Sequence, residues 1–346
     1  MYFHTARISA QPDGDDPPVE SATDRCLTDR KTCIEQRLEL RSPNVNTAFY
    51  TDDVALIPYI YTLAFSNIIN ISMKQLLLTF LLCGALTSFS QQYVTIPDIG
   101  YYTDSSSRKE HYTTSQCKLD LYYPKDKKGF ATIIWFHGGG ITGGRKEIPK
   151  ELMDKGYAIA GVGYRLSPRV PAPSYINDAA AAVAWVFKNI SQYGGSNKLI
   201  FVSGHSAGGY LGMMITLDKK YLAAYNIDAN NIAGLIPFSG QTITHFTVRK
   251  EKGIPELQPT IDEYAPLYHI RKDAPPMLLI TGDKEMELLG RYEENAYLNR
   301  MMKLTGNTTT RLLELQGFDH GAMAGPAFPL LLREVSNIVT TKTANQ

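Results

Sequence analysis

The sequence predicts an α/β domain in which a mainly parallel sheet of about eight strands carries helices on both faces. From Gln91 onward, short runs of β-branched and aromatic residues alternate with longer stretches of helical composition. Several of the short runs, such as residues 131–136 and 199–202, are apolar on both faces, as strands covered on both sides must be. No internal repeat or interdomain linker interrupts this alternation, so residues 91–346 are predicted to form one domain.

The elements are predicted in chain order from these patterns. A helix is expected over residues 174–193, because Ser174 can cap its start and Gly194 can end it. Another is expected over about 288–304, and a last one after Pro326 has leucines, Val and Ile at near-helical spacing. The clearest strands are predicted at residues 118–123, 131–137, 157–164, 198–204, 232–239, 277–281 and 311–315.

Composition and charge exclude several classes of protein. The formal net charge is +1, with 44% hydrophobic and 20% charged residues, so no basic surface for nucleic acid is expected. The four cysteines show neither CxxC spacing nor a neighbouring pair of histidines. No metal and no cofactor is therefore predicted, and the expected partner is a small molecule.

Residues 73–90 read as a bacterial export signal. Lys74 gives a positive start, residues 76–86 form an apolar run of signal-peptide length, and Ser88, Phe89 and Ser90 form a small-x-small cleavage site. The apolar run is shorter than the roughly 20 residues that a membrane helix needs. The mature protein is therefore expected to be secreted or periplasmic, without a stable membrane span.

Residues 1–72 are interpreted as a misassigned start or a disordered extension, because an export signal functions at a chain terminus and their first part lacks a helical or strand period. The alternative is a membrane anchor built from residues 54–71 and 76–86 if translation starts at Met1. Under the first interpretation only Cys117 remains after cleavage, so no internal disulfide is expected.

Residues 204–209 (GHSAGG) follow an apolar strand and precede a helical stretch, the context of a nucleophile elbow. In such a turn the neighbours of the serine must be small, and the serine adopts a strained conformation that presents its hydroxyl. Ser206 is therefore the predicted nucleophile, and Ala207 after it is predicted to contribute a backbone N–H to an oxyanion hole.

Residues 137–140 (HGGG) follow the predicted strand at 131–137. Glycines there let the main chain approach a substrate oxygen, so the N–H groups of Gly138 and Gly139 are predicted to complete the oxyanion hole. His137 is interpreted as a structural residue that bonds the loop.

A serine hydroxyl needs a base and a carboxylate from later in the chain. His320 follows the predicted strand at 311–315 and is the expected base, and Asp283 follows the strand at 277–281 and is the expected acid. Glu285 and Glu287 are nearby competitors for the acid, while adjacency to His320 disfavours Asp319. The order Ser, Asp, His is the one that this type of sheet requires.

These motifs together, with residues 164–168 (YRLSP), resemble the hormone-sensitive-lipase-like branch of the α/β-hydrolases, which includes carbohydrate acetyl and feruloyl esterases. The resemblance covers about Cys117 to the last helix. It implies the α/β-hydrolase fold with a small cap, a serine esterase for short acyl chains and a structural role for Asp178. The sequence departs from the branch at Ile141, where many relatives carry an aromatic residue, and at His205, where lipase-like members often carry Asp.

The function expected from motifs and resemblance is hydrolysis of carboxylic esters of short acyl chains through an acyl-enzyme, with acylated carbohydrates as a candidate substrate class. An amide hydrolase such as a formamidase or a peptidase would use the same three residues and stays an alternative. A catalytically silent binding module is the remaining alternative, which the presence of Ser206, Asp283 and His320 disfavours.

Overall fold

The computed structural model describes residues 65–66, 72–75, 91–102 and 110–344. The chain divides into two units, Met1–Thr87 and Ser88–Gln346, and all strands of the described residues lie in the second. Apart from the two short helical stretches at 65–66 and 72–75, the predicted extension and export signal lie outside the described residues.

The second unit is built on one sheet of eight strands in the order β1-β2-β4-β3-β5-β6-β7-β8. The contacts of β2 with β1 and β4 are antiparallel, and all other neighbours are parallel. The predicted α/β-hydrolase fold with a mainly parallel sheet is confirmed. The strands are β1 (Tyr93–Gly100), β2 (Lys118–Pro124), β3 (Phe130–Phe136), β4 (Ala158–Val162), β5 (Gly195–His205), β6 (Gly234–Phe238), β7 (Met277–Gly282) and β8 (Thr310–Leu315).

The first strand is missing from the strands predicted by sequence. Pro97 and Asp98 interrupt its pattern, and the register with β2 shifts between Ile96 and Ile99. Asp98 has a φ of 57°, and its N–H donates to the Asp120 carboxylate of β2 at 2.8 Å. Proline and a bulge are tolerated here because β1 is an edge strand with one neighbour.

The helices cover both faces of the sheet, as predicted. They are α1 (His111–Gln116), α2 (Ser174–Asn189), α3 (Ala207–Leu217), α4 (Lys220–Ala223), α5 (Phe246–Glu251), α6 (Arg291–Leu304) and α7 (Ala324–Ala344). Helices α2, α3 and α6 pack against one face, together with sheet residues such as Ile134 and Val202. Helix α7 packs against the other, where Ile133 and Phe201 face it. Alternate residues of β3 and β5 therefore enter different apolar clusters.

Helix ends follow the predictions with small differences. Helix α2 begins at Ser174, but Pro173 precedes it as the cap residue and no side chain caps the start. A 3₁₀ turn, Ile190–Tyr193, extends it to Gly194, which has a left-handed φ of 95° as the predicted stop requires. Helix α6 begins at Arg291, three residues later than expected, because the segment from Asp283 to Gly290 forms turns instead.

Within the described part of the chain, no helix combines the length and the apolar character that crossing a membrane requires.

Candidate active site

The turn between β5 and α3 places Ser206 at the carboxyl edge of the sheet. Ser206 has φ 54° and ψ −113°, a strained conformation for a residue other than glycine. A Cβ atom at Gly204 would lie 2.5 Å from the Phe136 carbonyl oxygen, and one at Gly208 only 2.0 Å from it. Both positions therefore require glycine, and the predicted nucleophile elbow is present as a backbone geometry.

His320 lies in the loop between β8 and α7 and contacts the serine. Its Nε2 is 2.9 Å from the Ser206 Oγ, and its Nδ1 is 2.7 Å from a Glu287 carboxylate oxygen. A carboxylate only accepts when ionised, so Nδ1 carries the proton and Nε2 is free to accept one from the hydroxyl. The predicted pair of Ser206 and His320 is brought together, but the carboxylate behind the histidine is Glu287.

The prediction of Asp283 as the acid is wrong in this structure. One Asp283 oxygen accepts from the Gly317 N–H at 2.7 Å and the other from the Glu285 N–H at 2.9 Å. These backbone donors lower the pKa of Asp283, the Gly317 N–H most. Asp283 begins a turn and bonds it to the loop before His320, so both its oxygens accept backbone N–H groups while Glu287 accepts from the imidazole. Glu285 is exposed, and it is not the carboxylate that His320 contacts.

The turn that Asp283 begins returns Glu287 to the end of β7. The N–H groups of Met286 and Glu287 both donate to the Asp283 carbonyl at 2.9 Å. Glu287 Oε1 then accepts the Gly282 N–H at 2.8 Å. A Cβ atom at Gly282 would meet the Phe318 carbonyl at 2.5 Å and the Glu287 carboxylate at 3.0 Å. Gly282 therefore permits the close approach of the carboxylate and the histidine loop.

Glu287 is buried, with 1% of its side chain exposed. Burial alone raises the pKa of Glu287, but hydrogen bonds from His320, Ser239 and Gly282 outweigh it and hold the pKa at about 2. The Ser239 hydroxyl donates to Oε1, and the Leu288 N–H donates to Oε2 at 3.1 Å. The carboxylate is therefore ionised at neutral pH and fixed in orientation.

His205, directly before the serine, supports the loop of His320. Its Nε2 donates to the His320 carbonyl oxygen at 2.8 Å, and the two rings are 4.8 Å apart. Burial, and next the neighbouring His320, lowers the pKa of His205 to about 4. A neutral ring with its proton on Nε2 is what this hydrogen bond needs, so His205 holds the His320 main chain without adding a charge.

The loop after β3 passes close to Ser206 at Gly138. A Cβ atom at Gly138 would lie 3.7 Å from the Ser206 Cβ, and one at Gly139, where φ is 106°, would clash with the Gly143 carbonyl at 2.4 Å. Among the described residues, no acceptor bonds the N–H groups of Gly138, Gly139 and Ala207. Gly138 thus lies beside the predicted nucleophile, and the oxyanion hole of Gly138, Gly139 and Ala207 stays a prediction.

His137 and Tyr164 stabilise this loop through hydrogen bonds and ring stacking. The Tyr164 hydroxyl donates to the His137 carbonyl at 2.8 Å, and the rings stack with centroids 4.3 Å apart. His137 Nδ1 donates to the Gly138 carbonyl at 2.7 Å. Burial lowers the pKa of His137, which favours the neutral ring. His137 therefore has the loop-bonding contacts expected for a structural residue.

The segment between β6 and β7, residues 239–276, contacts this loop through α5 and is called the cap segment. The Thr247 hydroxyl of α5 donates to the Gly140 carbonyl at 2.5 Å. The Phe246 ring is so close that a Cβ atom at Gly140 would lie 3.0 Å from it. Ile141, which stands where many relatives carry an aromatic residue, is fully buried. The aromatic ring beside this loop is that of the half-buried Phe246. Sequence patterns alone do not reveal this contact, because 107 residues separate Thr247 from Gly140.

Asp178 has the structural role that the resemblance implies. It is fully buried in α2, and its oxygens accept from the Tyr102 hydroxyl and from the backbone N–H and side chain of Arg165.

Among the described residues, no group of three His, Cys, Asp or Glu side chains is arranged to hold a metal ion.

The sheet order and the strained serine at the β5–α3 turn are those of the α/β-hydrolase fold, and the proteins that this chain resembles include carboxylic ester hydrolases. The family model described as BD-FAE matches residues 119–290.

Similar proteins include two from Mycobacterium tuberculosis. The chain is 28% identical over 182 residues to the probable carboxylic ester hydrolase LipM, covering 45% of this chain and 42% of that one. It is 26% identical over 253 residues to the esterase LipC, covering 63% and 62%. The chain thus spans less than two thirds of the length of either relative.

A truncated carbohydrate esterase from gut microbiota has a similar structure, with a TM-score of 0.59 at 18% sequence identity, over 73% of this chain and 99% of that one. At that identity the similarity concerns the fold.

Proposed function

We propose that this protein is a serine hydrolase that cleaves carboxylic esters of short acyl chains through an acyl-enzyme. The observation that carries the proposal is the continuous series of contacts from the Ser206 hydroxyl through His320 to the buried Glu287 carboxylate, at 2.9 and 2.7 Å. The names of LipM and LipC as ester hydrolases support the choice of reaction.

In the first half of the reaction, His320 Nε2 takes the Ser206 proton while Oγ bonds to the ester carbonyl carbon. The carbonyl oxygen becomes an oxyanion that can accept the N–H groups of Gly138, Gly139 and Ala207. Glu287 stabilises the imidazolium by accepting its Nδ1 proton in a hydrogen bond. The C–O bond to the alcohol then breaks, and His320 returns the proton to the leaving oxygen.

In the second half, water enters the place that the alcohol has left. His320 removes a proton from the water while its oxygen attacks the acyl carbon. The second tetrahedral intermediate uses the same N–H donors, and its collapse breaks the bond to Ser206 Oγ. His320 returns the proton to Oγ, so the products are the carboxylic acid and the restored enzyme.

Ser206→Ala tests the nucleophile. We expect kcat on p-nitrophenyl acetate to fall by about 10³-fold or more, because the nucleophilic oxygen is absent. A fluorophosphonate probe should label the wild-type protein on one residue and leave the variant unlabelled. Labelling of the variant, or full activity in it, contradicts the proposal.

The short-acyl preference is supported by the cap segment. Helix α5 has six residues, and its Phe246 ring packs beside Gly140, which directly follows the predicted oxyanion-hole glycines. We expect kcat/KM on p-nitrophenyl esters to be highest for acyl chains of two to four carbons and to fall steeply beyond about eight. A maximum at twelve carbons or more contradicts this preference. Faster turnover of N-formyl or peptide substrates than of any ester favours the amide hydrolase.

Acylated carbohydrates are the substrate class that we propose, with support from the name of the gut-microbiota carbohydrate esterase. The test is release of acetate from acetylated xylo-oligosaccharides, compared with simple alkyl acetates of equal leaving-group acidity. Preference for the alkyl acetates contradicts the carbohydrate assignment and leaves ester hydrolysis intact.

We also propose that residues 73–90 direct export to a secreted or periplasmic location. The support is the sequence pattern of Lys74, the apolar run and the Ser88–Ser90 site. Expression of the full chain in its host, followed by amino-terminal sequencing, is expected to give a mature chain that begins at Gln91. A mature chain that keeps residues 73–90 contradicts export by this signal.

A further inference from the structure

Ser239 is a fully buried polar residue that contacts the carboxylate of the candidate active site. It directly follows β6, at the same edge of the sheet as Ser206. Its hydroxyl donates to Glu287 Oε1, 48 residues later in the chain. Glu287 thus has Ser239 and the Gly282 N–H on one oxygen and His320 on the other. The hydroxyl therefore helps to decide which oxygen faces the histidine.

The backbone of Ser239 has a left-handed φ of 45°, which a residue other than glycine adopts only when its surroundings hold it. Hydrogen bonds hold both its backbone N–H and its backbone carbonyl. Its N–H donates to the Ile280 carbonyl of β7 at 2.7 Å, and its carbonyl accepts a hydrogen bond from the Arg291 guanidinium. Arg291 is 3% exposed and begins α6. The Ser239 backbone is therefore held by β7 and α6 together, and the position of its side chain follows from that backbone.

Arg291 is close to Glu287 without pairing with it. Burial lowers the pKa of Arg291, and the charges of Glu294 and then Glu287 act against that lowering. Among the described residues, no carboxylate lies within salt-bridge distance of Arg291. A guanidinium bonded to the carboxylate would occupy the lone pairs that His320 uses. Ser239 links the two groups instead, through a neutral donor on the oxygen that faces away from the imidazole.

We propose that Ser239 is a positioning residue for the reaction: it orients Glu287 towards His320, in a conformation that Arg291 holds. This inference rests on the proposed function of the site. Ser239 acts only through Glu287, so its removal should affect the chemical step more than substrate binding.

Ser239→Ala is the first test, with Ser203→Ala as the matched control. Ser203 is also a buried serine whose hydroxyl makes one hydrogen bond, to the Ile236 carbonyl at 2.5 Å, without contact to the site. We expect Ser239→Ala to lower kcat about 10-fold to 100-fold, the range for a lost hydrogen bond to a charged group. KM should change less than about threefold, and the control should stay within about twofold of wild type.

Active sites are counted by complete fluorophosphonate labelling, so a misfolded fraction does not enter kcat. Ser239→Gly serves if the alanine variant does not fold, because glycine accepts the left-handed φ without strain. A loss in kcat smaller than about fivefold in the folded variant overturns the proposal, and so does a change in KM larger than the change in kcat.

A double-mutant cycle with Glu287→Gln is the second test. If Ser239 acts through Glu287, then Ser239→Ala should change kcat by less than about twofold once Glu287 is Gln. A loss as large as in the wild-type background shows that Ser239 acts elsewhere and overturns the inference. Full activity in Ser206→Ala would instead refute the proposed function itself, so the two failures are distinguishable.

Discussion

At the scale of single residues, the Glu287 carboxylate has four hydrogen-bond donors: the Gly282 N–H and the Ser239 hydroxyl on Oε1, and His320 Nδ1 and the Leu288 N–H on Oε2. Such donors replace the water that burial removes, which is why the carboxylate stays ionised with a pKa of about 2. A fixed negative charge next to Nδ1 favours the tautomer in which Nε2 can accept the serine proton.

Glu287→Gln is expected to lower kcat by about 10³-fold to 10⁴-fold, because the amide loses the charge and disfavours the required tautomer. Asp283→Asn is the matched comparison, since it removes the charge of the other carboxylate in the same turn. Its amide oxygen can still accept one of the two backbone N–H groups, so kcat should stay within about threefold of wild type. The measurement is kcat per active site on p-nitrophenyl acetate. Equal losses in the two variants would contradict the assignment of Glu287.

At the scale of elements, the groups of the candidate active site come from loops that bond to one another as well as to the sheet. His205 at the end of β5 holds the His320 main chain. Asp283 holds the Gly317 N–H in the loop after β8. Helix α5 holds the loop after β3 through Thr247. Because these bonds join loops that are distant in sequence, the distances in the site depend on several elements packing at once.

Thr247→Val is expected to lower kcat about threefold to tenfold, because the loop that carries Gly138 and Gly139 loses its hydrogen bond to the cap segment and its N–H groups become less well aligned. Thr244→Val is the control: Thr244 lies in the same segment, and its hydroxyl donates to Asp262 at 2.7 Å instead. The control should keep kcat within about twofold. A similar loss in both variants would indicate a general effect on the packing of the cap segment rather than an effect on the loop of Gly138 and Gly139.

At the scale of the whole unit, a buried ionic cluster joins the segment after β1 to the rest of the sheet. Asp178 is fully buried in α2, and it accepts from Arg165 after β4 and from the Tyr102 hydroxyl after β1 at 2.6 Å. Burying an unpaired charge is unfavourable, so this carboxylate depends on both partners.

Arg165→Met is expected to lower the free energy of unfolding by about 3–5 kcal/mol, because it leaves the buried Asp178 charge without its guanidinium partner. The double variant Arg165→Met with Asp178→Leu should recover part of that loss, since no uncompensated charge remains. Urea unfolding followed by circular dichroism measures both. A loss below about 1 kcal/mol in the single variant, or a double variant no more stable than the single one, would contradict this role.

The sequence alone determined the parts of the protein that depend on local geometry. Gly204, Ser206 and Gly208 predict the elbow, because so tight a turn between a strand and a helix needs small residues beside the serine. The alternation of apolar runs predicted seven of the eight strands, and the order of strands and polar loops predicted Ser206 and His320 as partners. For the elbow and the strands the reason is steric or periodic and acts over a few residues, whereas the pairing of Ser206 with His320 follows from the order in which the strands end at one edge of the sheet.

The tertiary structure decided which carboxylate meets His320, and it assigned Ser239, His205 and Thr247 their contacts. Asp283 and Glu287 are four residues apart in one turn, and either has the right chemistry. The choice depends on donors from distant segments, namely Gly317, Ser239 and His320. Strand β1 was missed for a related reason: its Pro97 and bulge are acceptable only at the edge of a sheet, a position that exists once the strands have packed.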